Sequence, residues 1–187
     1  MSNEEFLGYL FLITLRTNLP LEVLARIDNV EAASELAELT GDTTALKGFA
    51  DSGNTAAAYA MYRRLSRDRE TTVDAWKYLC SAANAGNGTA QAEVGYWHRQ
   101  TVLPSSAVDK LAWTQERVGI QADNRIAYAW YSIAASSGNT QAIAARDYYV
   151  APGMTPTDIA EAEHMADDWV PGDCPSAGHR LGPPGQT

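Results

Sequence analysis

The stretch Ala82-Ala83-Asn84-Ala85-Gly86-Asn87-Gly88-Thr89-Ala90 decides the fold of this chain. Small side chains lie three and four positions before Gly86, and an alanine lies four positions after it. A glycine after a helical stretch is typical of a helix end, because it adopts the left-handed backbone conformation without the strain that a Cβ causes. The asparagine that follows suits the start of a second helix. The stretch therefore predicts a tight turn between two antiparallel helices.

The same pattern occurs at two further places in the chain. Phe49-Ala-Asp-Ser-Gly53 is followed by Ala57, and Ala134-Ala-Ser-Ser-Gly138 is followed by Ala142. Large apolar residues precede each glycine at spacings of three and four, which places them on one stripe of a helix. These residues include Leu46, Trp76, Leu79, Trp130 and Ile133. No single hairpin can bury such a stripe, so the repeats are expected to stack on one another.

The predicted fold class is all-α: an α/α superhelix, or solenoid, of short helix-turn-helix repeats with atypical capping helices at both ends. We expect N-terminal capping helices in residues 1–44, repeats and a C-terminal capping helix in residues 45–169, and a tail in residues 170–187. The interval from Gly86 to Gly138 is the longer one, which predicts an ordered insertion at about residues 101–120. Thr155, followed by Pro156 and Asp158, predicts the start of the terminal helix.

These residues resemble the Sel-one-like (Sel1-like) repeat family, a relative of the tetratricopeptide (TPR) repeat. The resemblance rests on Ala82 to Gly95 and on Ala134 to Ala142, and it covers about residues 45–169. Gly119 to Trp130 is similar to the family's linker and second helix, and Met154 to Glu163 looks like its frequent bacterial terminal helix. The resemblance implies a scaffold or adaptor that binds other proteins and seldom catalyses a reaction.

The charge of the chain constrains its partners. The 187 residues include 14 basic and 23 acidic ones, which gives a net charge of -9. An acidic surface repels the phosphates of nucleic acid, so no nucleic-acid partner is expected. Another protein or peptide is predicted instead, with a basic one favoured.

Two features bear on the compartment. The apolar run from Phe6 to Leu15 is too short to cross a bilayer and lacks the basic flank of a leader, so it predicts a buried or docking helix, with an assembly role as one alternative. We expect a soluble, cytoplasmic protein, and a periplasmic or secreted one if a leader has been removed. Cys80 and Cys174 leave open whether they form a disulfide.

The three histidines supply the enzyme alternative. His98 has Glu93 on the same predicted helix, and His164 precedes Asp167 and Asp168, which are possible ligands of a weakly held metal ion. Neither has a second histidine or a cysteine at ligand spacing, and the chain has no phosphate-binding glycine loop. We therefore predict no catalytic residue, cofactor or metal site. The alternative that stays open is an enzyme or enzyme subunit, hydrolase-like, with a site near His98 or His164.

The predicted binding surface follows from the architecture. A helical solenoid presents the first helix of each repeat on its concave side. Tyrosine, tryptophan and arginine dominate interface energetics, although aromatic residues at helical spacing also form cores. The predicted protein-binding residues on these helices are Tyr59, Arg63, Glu93, Tyr96, Trp97 and Tyr148. The predicted function is a non-catalytic protein–protein interaction scaffold or adaptor, with an inhibitor or immunity-type partner of another protein as one form of it.

A basic cluster lies near the end of one of these helices. It consists of Arg63, Arg64, Arg67 and Arg69. Basic side chains interact favourably with a helix C-terminus, and Arg64 and Asp68 have the spacing of an i,i+4 ion pair. The alternative is a contact with an anion or an acidic peptide.

Overall fold

The computed structural model describes residues 29–100, 105–170, 172 and 174, without the side chains of residues 105–111. Within these residues the protein is all-helical, as the sequence predicts. Its α-helices in this part of the chain are α1 (Val30–Thr40), α2 (Thr44–Asp51), α3 (Thr55–Leu65), α4 (Thr72–Asn84), α5 (Gly88–His98), α6 (Ser105–Val118), α7 (Asn124–Ser136), α8 (Thr140–Ala145) and α9 (Pro156–Asp167). A π-helix (Arg146–Val150) and a short 3-10 helix (Ala151–Gly153) lie between α8 and α9. The helices predicted within residues 1–28 lie outside the described residues.

The glycine turns have the predicted geometry. Gly53, Gly86 and Gly138 have φ angles of 92°, 85° and 87°. In the first turn, the amide of Asn54 donates to the carbonyl of Phe49 at 3.0 Å. The amide of Gly53 donates to the carbonyl of Ala50, also at 3.0 Å. The other two turns repeat both bonds, which satisfy carbonyls at the helix end.

Each asparagine after these glycines then begins the next helix. The Oδ1 atom of Asn54 accepts a hydrogen bond from the amide of Ala57 at 3.0 Å, and Asn87 and Asn139 cap α5 and α8 in the same way. The side chain therefore satisfies an amide at the helix start that has no partner within the helix. Thr155 and Asp158 form the predicted capping box of α9.

Each helix packs on a helix that lies next to it, or close to it, along the chain. Helix α3 packs on α4, α4 on α5, α5 on α7, and α7 on both α8 and α9. Helix α6, which lies in the predicted insertion, packs against α4 and α5. The insertion is thus an ordered helix, as predicted. Among the described helices, none combines the length and apolarity needed to cross a membrane.

The core is mostly apolar, but it also contains several buried polar side chains, of which Gln91 is the most completely buried. Leu46, Trp76, Leu79 and Val94 are almost completely buried. Gln91 is equally buried: its Nε2 atom donates to the carbonyl of Ala83 at 3.1 Å, and its Oε1 atom accepts from Ser137 at 2.9 Å. A buried amide is tolerated when it has such partners. Gln91 therefore joins the ends of α4 and α7 through α5.

The predicted tail is joined to α4 by a disulfide bond. Cys80 and Cys174 are bonded, with their Cα atoms 5.3 Å apart. The amide of Cys174 donates to Oδ1 of Asn84 at 3.0 Å. Just before the tail, the ring of Trp169 packs edge-on against the ring of Trp130, with the ring centroids 6.0 Å apart. The pairing that the sequence left open is therefore present.

The basic cluster is held by two contacts that the sequence did not predict. Arg67 forms a forked ion pair with Glu38, and the guanidinium of Arg69 lies 5.3 Å from the ring centroid of Trp113. The predicted ion pair of Arg64 and Asp68 was wrong: within the described residues it does not form. Helix α3 ends at Leu65, so Asp68 does not lie one turn along the same helix, and its carboxylate accepts from the amide of Glu70 instead.

Candidate functional site

Four tyrosines and one carboxylate form a group where α3, α5 and α7 approach, and one of the tyrosines contacts the carboxylate. We call this set the tyrosine–glutamate cluster: Tyr59 and Tyr62 from α3, Glu93 and Tyr96 from α5, and Tyr131 from α7. The hydroxyl of Tyr62 donates to Oε1 of Glu93 at 2.6 Å. The rings of Tyr59 and Tyr62 are 5.9 Å apart, and the charge of Glu93 acts on Tyr59 and Tyr131.

Trp97 supports this cluster from the core. Its indole nitrogen donates to the hydroxyl of Tyr62 at 2.9 Å, and the side chain is only 8% exposed. The hydroxyl of Tyr62 thus accepts from Trp97 and donates to Glu93. Trp97, which the sequence predicted as a binding residue, is buried, and its indole holds the hydroxyl of Tyr62.

The position of Tyr131 depends on a glycine in the neighbouring helix. A Cβ atom on Gly95 would lie 3.2 Å from both the carbonyl of Ala127 and the ring of Tyr131. The absence of that atom lets α5 and α7 approach closely, with the tyrosine ring between them. The phenol is therefore brought within electrostatic range of Glu93.

Burial favours the neutral form of three phenols of the cluster, those of Tyr59, Tyr62 and Tyr131, because it raises the pKa of each. Burial raises the pKa of Tyr131 to about 12, and the charges of Glu93 and Arg99 act on it in opposite directions. Burial also raises the pKa of Tyr59 and Tyr62, and Glu93 adds to both increases because a second negative charge beside it is unfavourable.

Among the residues that the structure describes, Glu93 has no cationic partner. The residue is half-buried, and among the described residues no basic side chain lies within ion-pair distance of its carboxylate. Arg63 is exposed on α3 and acts on Tyr59 electrostatically. Arg99 lies against the rings of two tyrosines: its guanidinium is 5.2 Å from the ring centroid of Tyr96 and 5.3 Å from that of Tyr149.

The structure separates the predicted binding residues into three groups. Tyr59, Arg63, Glu93 and Tyr96 lie in or beside the cluster, and Trp97 lies beneath it. Tyr148 is 77% exposed and makes no ring contact with the others in the described structure. Its place was predicted by counting α-helical turns from Gly138, but α8 ends at Ala145 and the π-helix that follows winds more widely, so the register changes.

Four residues in or beside the tyrosine–glutamate cluster were missed by sequence reasoning. Tyr62 lies three positions after Tyr59, so its helical spacing could have revealed it. Tyr131 was assigned to the core, and it is buried there. Arg99 and Tyr149 carried no sequence signal, because one follows the end of α5 and the other lies in the π-helix.

The two candidate histidines lie in different surroundings. His98 is 2% exposed, its Nδ1 atom lies 3.1 Å from the carbonyl oxygen of Gln121, and burial lowers its pKa. His164 is exposed and lies 3.4 Å from the carboxylate of Asp168. The described residues contain no group of three histidine, cysteine or acidic side chains that could hold a metal ion.

A cavity of about 240 Å³ lies beside the buried faces of Tyr62 and Trp97. Arg69 and Trp113 also line it, and no histidine or carboxylate is among its described lining residues. Neither His98 nor His164 is therefore placed at this cavity.

Comparison of the chain with protein-family models, with curated proteins and with solved structures finds no match. The resemblance to Sel-one-like repeats therefore stays a prediction from the residues that carry it.

Proposed function

We propose that the protein is a non-catalytic protein-binding scaffold built as an α/α superhelix of Sel-one-like repeats. In this proposal α3, α5 and the segment from α8 into the π-helix form the concave face. The observation that carries the proposal is the tyrosine–glutamate cluster: one half-buried carboxylate without a cationic partner among the described residues, bonded to Tyr62 and within electrostatic range of Tyr59 and Tyr131.

The composition of the cluster favours binding over chemistry. Tyrosine offers a large contact area with little loss of side-chain freedom, and it is enriched where interfaces derive most of their energy. The packed core beneath the cluster fixes its geometry before a partner arrives, since Trp97 holds Tyr62 and Tyr62 holds Glu93. A preorganised surface binds more tightly because less freedom is lost on association. Tyr59, Arg63, Glu93 and Tyr96 form the proposed binding surface, with Tyr148 at its edge.

The proposed partner is another protein or peptide, and a basic one fits best because the chain carries a net charge of -9. An adaptor and an inhibitor or immunity-type protein are both forms of this function. The bonded cysteines favour the periplasmic or secreted alternative over the cytoplasm, because disulfides persist in oxidising compartments.

Site-specific photo-crosslinking tests the proposal. Benzoylphenylalanine is placed at Tyr96 on the proposed concave face and, as the control, at Lys77, an exposed residue of α4. We expect one protein to be cross-linked in cells from Tyr96 and not from Lys77. Cross-linking of the same protein from Lys77 alone contradicts the proposed face.

The cross-linked partner is then purified, and its affinity is measured by calorimetry. The triple variant Tyr59→Ala, Arg63→Ala, Tyr96→Ala is expected to bind about tenfold or more weakly, since truncating interface aromatic and arginine residues has costs of this order. Circular dichroism of the variant shows whether its helices are intact. An unchanged affinity with an intact fold refutes the proposal.

A further inference from the structure

We propose that Glu93 is the receptor for a lysine or arginine side chain of the partner. This inference rests on the proposed function, and it names the chemical group that the partner presents to the tyrosine–glutamate cluster.

The first support for this proposal is the environment of the Glu93 carboxylate. Glu93 is half-buried and accepts a hydrogen bond from Tyr62 at 2.6 Å, yet no basic side chain of the described residues pairs with it. A charge that is partly removed from water attracts a counter-charge more strongly than an exposed one does. Binding of a cation would therefore stabilise Glu93 more than it would stabilise an exposed acid of this protein.

The aromatic rings are the second support. Tyrosine faces attract ammonium and guanidinium groups, and the methylene stems of lysine and arginine pack along apolar surfaces. The protein already shows this chemistry on the same surface, where Arg99 lies between Tyr96 and Tyr149. The cluster offers a second cation the partly exposed ring of Tyr59 and, in addition, a carboxylate.

The arrangement of the protein's own arginines leaves the carboxylate available. The guanidinium of Arg99 is engaged by two rings, and its Nε atom is buried. Arg63 is exposed, and its guanidinium forms no hydrogen bond or ion pair with another described residue, so nothing holds it at Glu93. An incoming cation does not have to displace an existing ion pair.

Other occupants fit the cluster less well. A metal ion needs several hard ligands, and the described residues place no other carboxylate, histidine or cysteine in a metal-binding group with Glu93. An acidic segment would be repelled by Glu93 and by the net charge of -9. The positive charge of a basic side chain complements both the negative charge of Glu93 and the negative net charge of the whole chain.

The test uses capped tripeptides with a central lysine, arginine or norleucine, titrated into the full-length protein. Norleucine keeps the apolar stem of lysine without its charge. The readout is the NMR resonance of the Trp97 indole N–H, which reports on Glu93 through the hydroxyl of Tyr62. We expect a saturable shift with the lysine and arginine peptides and none with the norleucine peptide.

Two variants assign the effect to Glu93. Glu93→Gln removes the charge and keeps an oxygen that can accept from Tyr62, whereas Glu116→Gln removes the same charge from an exposed position on α6. We expect affinity for the lysine peptide to fall about tenfold or more in Glu93→Gln and to stay unchanged in Glu116→Gln. Equal affinity of the two variants, or an equal shift with norleucine, overturns the inference. So does the absence of any shift.

The test of Glu93 and the test of the proposed function can fail independently of each other. A partner that cross-links from Tyr96 but binds Glu93→Gln as tightly as the unmodified protein contradicts the role of Glu93 and leaves the scaffold intact. A partner that never cross-links from Tyr96 contradicts the proposed function itself.

Discussion

The hydroxyl of Tyr62 donates a 2.6 Å hydrogen bond to Glu93 across the gap between α3 and α5. The same oxygen accepts from the buried indole of Trp97 at 2.9 Å. Loss of the hydroxyl would leave the indole N–H in the core without this partner, and such a loss costs about 1–3 kcal/mol. We therefore expect Tyr62→Phe to lower the free energy of unfolding by about that amount, as measured by urea denaturation.

Tyr59→Phe is the matched control for this change. Tyr59 belongs to the same helix and the same cluster but is partly exposed, and its hydroxyl has no hydrogen bond in the described structure. Its removal should alter the free energy of unfolding by less than about 0.5 kcal/mol. Equal effects of the two substitutions would show that the Tyr62 bonds are not what stabilises this contact.

Two glycines separated by five positions should respond in opposite directions to the same substitution. Gly53 has a φ angle of 92°, a conformation that strains an alanine, so Gly53→Ala should lower the free energy of unfolding by about 1–2 kcal/mol. Gly48 lies within α2, and a Cβ atom there would meet nothing within 4 Å. Gly48→Ala should raise the free energy of unfolding by about 0.5–1 kcal/mol. Thermal and urea denaturation measure both changes.

The buried His98 should make stability depend on pH. Burial lowers its pKa below the ordinary value of 6.5, so the unfolded chain binds more protons than the folded protein in the pH window below that value. Its stabilising contribution is fully present above the unfolded pKa and is lost as the pH falls towards the folded pKa. His98→Asn keeps a side-chain donor for the carbonyl of Gln121 and does not titrate.

We expect the free energy of unfolding to fall less steeply in His98→Asn than in the unmodified protein between about pH 6.5 and the lower folded pKa of His98. The quantity to compare is the slope of the free energy of unfolding against pH, because the smaller side chain lowers that free energy at every pH. Histidine NMR titration gives the folded pKa directly. A folded pKa at or above the ordinary value contradicts the buried environment of the ring.

The disulfide should contribute a large share of the stability. It closes a loop with a sequence separation of 94 residues, and restricting the unfolded chain in this way is worth about 2–4 kcal/mol. The double variant Cys80→Ala, Cys174→Ala should be less stable by that amount. Reduction of the unmodified protein should reproduce the loss, whereas the double variant should not respond to reductant. Thiol alkylation before and after reduction reports the pairing itself.

Local features of the fold could be predicted because their causes are local. The turn bonds of Gly53 and Asn54 join atoms within six residues of one another, and the capping box of Thr155 and Asp158 spans four. Short-range geometry of this kind is determined by residue type and spacing. The helix in the insertion was predictable for the same reason.

The candidate site could be predicted only in part because its contacts cross between helices. Equivalent positions on α3 and α5 identified Tyr59, Glu93 and Tyr96. The approach of Tyr131 depends on how closely α5 and α7 pack, which the side chain missing at Gly95 allows. Helical spacing cannot place Arg99, which follows the last residue of α5, or Tyr148, which lies beyond the change from α-helix to π-helix.

The bond between Cys80 and Cys174 gives the chain the covalent topology of a ring with two tails. Every residue from 81 to 173 lies on that ring, including those of α5 and α7 that supply Glu93 and Tyr131. A single backbone cut anywhere within it opens the ring without separating the molecule into pieces. Under oxidising conditions, a protease that cleaves this segment once would leave both halves of the site tethered to each other.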